Sequence, residues 1–124
     1  MPILLALALA AQQAPADDAD FQTRASIARQ AEHAATGPDY QKAMWGKIGN
    51  PTTDAYGACL KSNQMDQTPF SMVADVAGDG RLTHLVVRPE TGVAKCMAGQ
   101  FANWQLPTPP AAPYPIVIDF SVKK

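Results

Sequence analysis

Cys96-Met-Ala-Gly-Gln-Phe-Ala-Asn-Trp104-Gln-Leu-Pro107-Thr-Pro109, followed after more prolines by Ile116-Val-Ile-Asp-Phe-Ser-Val122, contains the change of period that decides the fold. Thr91 is placed to cap a helix whose one side gathers Val93, Cys96, Met97, Gln100, Phe101 and Trp104. Pro107, Pro109, Pro110, Pro113 and Pro115 cannot continue that helix and enforce an extended path. The period then becomes two. Ile116, Ile118, Phe120 and Val122 share one face of a terminal strand, and Val117, Asp119, Ser121 and Lys123 share the other. The first face reads as core and the second as more solvated.

Upstream, Phe70, Met72, Ala74 and Val76 alternate before Gly78-Asp79-Gly80, and a β-rich run from Leu82 to Val87 follows. Two such runs around a tight glycine turn predict an antiparallel hairpin. Thr52 or Thr53 can cap a helix with a stripe at Ala55 or Tyr56, Cys59, Leu60 and Asn63, which puts Cys59 on the buried side. Gly49-Asn50-Pro51 is expected to end a shorter helix from Asp39 to Ile48, marked by Tyr40, Met44 and Ile48. Phe21 to Ala35 predicts a further helix, stopped by Gly37-Pro38; its face of Phe21, Ile27, Ala28, Ala31 and Ala35 is weakly apolar, so loose docking or a spacer role is expected. Asp17, Asp18 and Asp20 stand where its N-terminus favours negative charge. The class is therefore α+β: a small antiparallel three-stranded sheet against two cysteine-bearing helices, with one or two extra N-terminal helices.

The 124 residues suffice for one domain. A net charge of -1, with 17% charged residues, supplies no basic footprint, so nucleic acid is not an expected partner. Residues 1–10 read as a signal peptide, with the apolar run Ile3 to Ala10 and the small-x-small ending Ala8-Leu9-Ala10. That run is about half of the roughly 20 residues a membrane span requires, so no stable span is expected. Residues 11–20 read as a mobile leader, 21–50 as peripheral helices and 51–124 as the main domain. Cys59 and Cys96 are an even pair in a small exported chain, and an oxidising compartment favours a disulfide between them. It would close a loop of about 40 residues, for which chain entropy gives about 4 kcal/mol.

The order helix with Cys, strand, Gly turn, strand, helix with Cys, Trp-x-x-Pro-x-Pro, strand resembles the TonB C-terminal-like family, in particular the AgmX/PglI-type modules of exported envelope proteins. Cys59, Gly80, Cys96, Trp104, Pro107 and Pro109 match that pattern, and Phe120 falls at its first terminal aromatic. Leu106 stands where the family usually has Phe, and Asp119 where it often has Pro. The resemblance implies a periplasmic module that binds another envelope protein, with Ile116, Val117, Ile118, Asp119, Phe120, Ser121 and Val122 as the strand that receives an extended segment of the partner.

Other chemistry is weakly supported. Asp75-Val-Ala-Gly-Asp79-Gly80 has oxygen ligands at two calcium-loop positions, but Ala77 and Val86 occupy others, and a hairpin turn accounts for the same residues. Ser26, Ser62, Ser71 and Ser121 lack a nucleophile-elbow setting, and His33 and His84 lack a metal spacing. No enzyme, metal or cofactor is expected. The competing expectation is a small periplasmic inhibitor or immunity protein presenting Tyr40, Trp45 and a Gly49-Asn50-Pro51 loop as a rigid patch.

Overall fold

The computed structural model describes residues 19–122. The segment expected as a signal peptide, Asp17 and Asp18, and the expected leader up to residue 18 lie outside the described residues; residues 19 and 20 are already helical. The elements are α1 (19–33), α2 (Gly37–Ser62), β1 (Phe70–Val76), β2 (Leu82–Arg88), α3 (Gly92–Phe101) and β3 (Tyr114–Phe120). The fold is α+β, with an antiparallel sheet in the order β2-β1-β3. β1 and β3 pair without interruption from Phe70↔Phe120 to Val76↔Tyr114. β1 and β2 pair with a shift between Val73 and Asp75, where His84 takes φ 52°. That is a bulge.

Both faces of the sheet are covered. On one face, Met72, Ala74 and Val76 of β1 and Ile116, Ile118 and Phe120 of β3 meet Tyr40, Met44, Ile48 and Leu60 of α2 and Val93, Met97 and Phe101 of α3. On the other, α1 lays Phe21, Ala25 and Ala28 over Val73 and Val117, with Val86 beside them. This corrects the expectation of a solvated second face and a loosely docked first helix: Val117 is 5% exposed. The face of α1 reads as weak because alanines carry it, yet small side chains let a helix sit close on a sheet of valines. Ile27, expected on that face, points outward at 49% exposure.

The two helices expected on either side of residues 49–51 are one helix. Tyr40, Met44, Ile48, Thr52, Cys59 and Leu60 form a continuous buried stripe along α2, and Pro51 lies inside it on the exposed side. The division expected at 50/51 therefore falls within a packed helix. Packing of four consecutive turns outweighs the local Gly-Asn-Pro stop, and the Thr53 hydroxyl donates to the Gly49 carbonyl at 3.2 Å in the disturbed turn. Gly37 makes the α1–α2 corner possible, since a Cβ there would strike the carbonyls of Ala31 and Glu32.

Cys59 of α2 and Cys96 of α3 are bridged, with Cα atoms 5.7 Å apart. Thr91 caps α3 as expected, its hydroxyl accepting from the Ala94 amide at 3.1 Å. The helix stops at Phe101, and Trp104 follows half-buried with its ring 4.6 Å from that of Phe101. The chain then crosses the hairpin turn: Gly80, at φ 89°, leaves room for the Leu106 carbonyl, and the Leu106 amide donates to the Gly80 carbonyl at 2.8 Å. The terminal strand begins at Tyr114 rather than Ile116 and ends at Phe120, leaving Ser121 and Val122 beyond it.

Candidate functional site: the edge of β3

β3 has one strand neighbour, so its outer main chain faces away from the sheet. Pro115 fixes the phase of that edge. It lies within the ladder opposite Asp75, and a proline is tolerated there when its missing N–H faces away from the neighbouring strand. Val117 and Asp119 share its phase, so their amides and carbonyls also aim outward. Ile116, Ile118 and Phe120 aim theirs at β1.

α2 runs alongside this edge on one face. Tyr40 meets Tyr114 edge-on at 4.9 Å, and Tyr56 stacks near Phe120 at 6.1 Å, so helix and strand advance in the same direction. Between them lies a groove of about 230 Å³ lined by Trp45, Thr52, Thr53 and Tyr56 and by residues 118–121 of the strand end. Trp45 is 39% exposed, and its indole N–H donates to the side-chain Oε1 of Gln41 at 3.2 Å, which holds the ring over the flank of the helix. Two buried polar atoms, Gln41 Nε2 and Thr52 Oγ1, have no hydrogen-bond partner among the described residues; Thr52 is 8% exposed and lines the groove. Leaving such groups unpaired costs stability.

α1 guards the other face. Arg29 holds Asp119 through two hydrogen bonds of 2.8 and 3.2 Å, and Ser71 donates to the same carboxylate at 2.5 Å. The hydrogen bond from Arg29 depresses the Asp119 carboxyl below its ordinary value, with Ser71 adding to the effect against some burial. Glu32 lies one turn further along α1, and burial raises its carboxyl above the ordinary range. The Tyr114 hydroxyl donates to the Ala31 carbonyl at 3.4 Å, and burial followed by the charge of Glu32 raises its phenol.

The opposite edge is a poorer receptor. β2 carries the bulge, His84 pairs with Asp75 at 3.2 Å, and Arg24 of α1 reaches the His84 carbonyl at 2.6 Å. Bulges and charge are the usual means of blunting an edge.

Of the strand residues expected to receive a partner, Asp119 is exposed with its main chain in the outward phase, Val117 shares that phase but is buried beneath α1, Ile116, Ile118 and Phe120 are core, and Ser121 and Val122 follow the strand. Sequence reasoning missed Thr52 and Thr53 as groove residues and Arg29 as the opposite flank. Trp45 alone carried a signal, being offset from the Met44 and Ile48 stripe. The other candidates go to structural work. Asp79 accepts from the Arg81 amide at 3.0 Å in the turn, Asp75 faces His84, and Ser62 donates back to the Ala58 and Cys59 carbonyls. Tyr40 is buried, and residues 49–51 are helical, so the patch expected of an inhibitor does not form.

Among the described residues, no helix is long and apolar enough to cross a membrane, and no group of three or more His, Cys, Asp or Glu could hold a metal ion. The disulfide is the mark of an oxidising, exported location. No family model, curated protein or solved structure matches this chain.

Proposed function

We propose that this chain is an exported protein-binding module of the bacterial cell envelope, working in the periplasm, that takes an extended segment of another envelope protein as a fourth strand beside β3. The observation that carries the reading is the edge position of β3, whose exposed main chain at Asp119 is set beside a groove with an exposed tryptophan. Main-chain hydrogen bonds to that edge would supply affinity, and pockets for alternate side chains would supply selectivity. The resemblance to TonB C-terminal-like modules, which meet their receptors through a terminal strand, supports the same reading.

The test is capture of envelope proteins on the immobilised full chain, compared with Val117→Pro and Ser121→Pro. Both substitutions remove an amide of the outward phase, and circular dichroism establishes that each variant is folded. Capture is expected to be lost in both, whereas Ile118→Pro removes an inward amide and is expected to unfold the chain. Folded proline variants that capture partners as the parent does would overturn strand addition at this edge.

A further inference from the structure

Pro51 and Trp104, both prominent in the sequence and neither used by strand addition, meet in a second cleft. It lies between α2 and the segment that follows α3, has a volume of about 350 Å³, and is lined by Lys47, Ile48 and Pro51 on one wall and by Asn103, Trp104 and Gln105 on the other. Lys47 and Pro51 stand about a third of the way round α2 from Trp45 and Thr52, so this cleft and the groove beside β3 are separate places. Its size falls within the roughly 300 to 1,000 Å³ of small-molecule sites, whereas the groove beside β3, at about 230 Å³, falls below that range.

Two polar groups on these walls are unused. Trp104 is half-buried with its ring centroid 4.6 Å from that of Phe101, yet its indole N–H has no acceptor among the described residues. Lys47 forms no ion pair among the described residues. Its neighbours three and four positions along the helix are Ala43, Met44, Asn50 and Pro51, none of them acidic, and the facing wall carries no charge. That facing wall is held in place: Asn103 Nδ2 donates to the Gly99 carbonyl at 3.1 Å, Gln105 Nε2 donates to the Asp79 carbonyl, and Gln105 bridges Arg81 of the hairpin.

We propose that this cleft binds a small organic acid with an apolar body, its carboxylate taken by the Lys47 ammonium and the Trp104 N–H and its body by Ile48, Pro51 and the indole ring. An uncompensated cation and a spare N–H, with no acidic group on either wall, are the complement of a carboxylate. Pro51 supports the apolar half, since its ring replaces an N–H and keeps that turn of α2 free of a competing donor. An extended peptide is a worse occupant. One wall is a helix and the other a segment already bonded to the hairpin turn, so an added main chain finds no ladder to join. The site stands whether or not β3 accepts a strand.

The probes are hydrocinnamate and its uncharged counterpart hydrocinnamyl alcohol, titrated into the isotope-labelled, oxidised full chain at neutral pH and low salt while the two indole N–H resonances are followed. Hydrocinnamate is expected to shift the Trp104 N–H, to leave that of Trp45 in place, and to bind about fivefold more tightly than the alcohol. Lys47→Met is expected to bring acid and alcohol to equal affinity while binding persists, and its melting curve shows that it is folded. Equal affinity of the two probes for the parent chain, or a preference for the acid that survives Lys47→Met, would overturn the assignment of a carboxylate to Lys47. A shift confined to Trp45, or none at millimolar concentrations of either probe, would overturn the site. A capped peptide Thr-Phe-Glu-Phe-Thr that moves the Trp104 N–H at lower concentration than hydrocinnamate would overturn the small acid in favour of a protein partner.

Discussion

Tyr40 shows how one hydroxyl joins distant parts of the chain. Its ring packs against Tyr114 and its O–H donates to the Pro107 carbonyl at 2.8 Å, tying α2 to the proline corner. Burial, with a smaller contribution from Tyr114, pushes its pKa up to about 12. A native pKa above the unfolded value of 10.0 means that Tyr40 contributes fully below pH 10.0, and that this contribution is lost as the pH rises towards about 12. Tyr40→Phe is expected to cost about 1 kcal/mol at neutral pH in urea denaturation and to flatten the loss of stability across that alkaline range. Asp119 has the opposite sign. Its carboxyl is depressed below 3.8, so its contribution is complete above that pH and is lost as the pH falls beneath it. Asp119→Asn is expected to cost about 1 kcal/mol or less at pH 7, because the pair is half-exposed. Parent and variant should converge below pH 3.8, and a difference that persists into strong acid would show that the residue acts through packing instead.

At the scale of elements, α2 and α1 show where sequence patterns reach and where they stop. Pro51 removes a donor that the Lys47 carbonyl would otherwise receive, while the stripe from Tyr40 to Leu60 keeps the helix whole. Pro51→Ala is expected to raise stability by about 1 to 3 kcal/mol in urea denaturation; a fall would mean that the proline-shaped turn is needed for α2 to pack as it does. The hairpin, the Thr91-capped helix and the Cys59 and Cys96 faces were legible because each rests on local signals: Gly78-Asp79-Gly80, a cap, and apolar spacing. The continuity of α2 was not, since Gly49-Asn50-Pro51 is a strong local stop and only packing against α3 and the sheet decides against it. Nor was the placement of α1, whose Ala25 and Ala28 look featureless until Val73 and Val117 lie beneath them. The candidate edge was half legible for a related reason: alternation in β3 is visible in the residues, whereas the flanks supplied by Trp45, Thr52 and Arg29 come from positions 62 or more residues earlier in the chain.

For the molecule as a whole, the covalent link adds what a small core cannot supply. The Cys59–Cys96 bridge spans 37 positions, and its reduction is expected to lower stability by about 4 kcal/mol, read as a shift of the urea midpoint with and without reductant. The same bridge has a mechanical consequence. It closes a ring that contains β1 and β2 and leaves α1 and β3 outside. A pulling force applied at the two ends is therefore carried across the sulfurs, and the hairpin inside the ring bears none of the extension. Stretching single oxidised molecules should release β3 and α1 and then stop short, and reduction should add about 130 Å of contour from the 37 hidden positions. A module clamped to a partner by its edge strand would thus yield under tension at the strand that does the gripping, while the ring keeps the rest of the sheet ready for that strand to return.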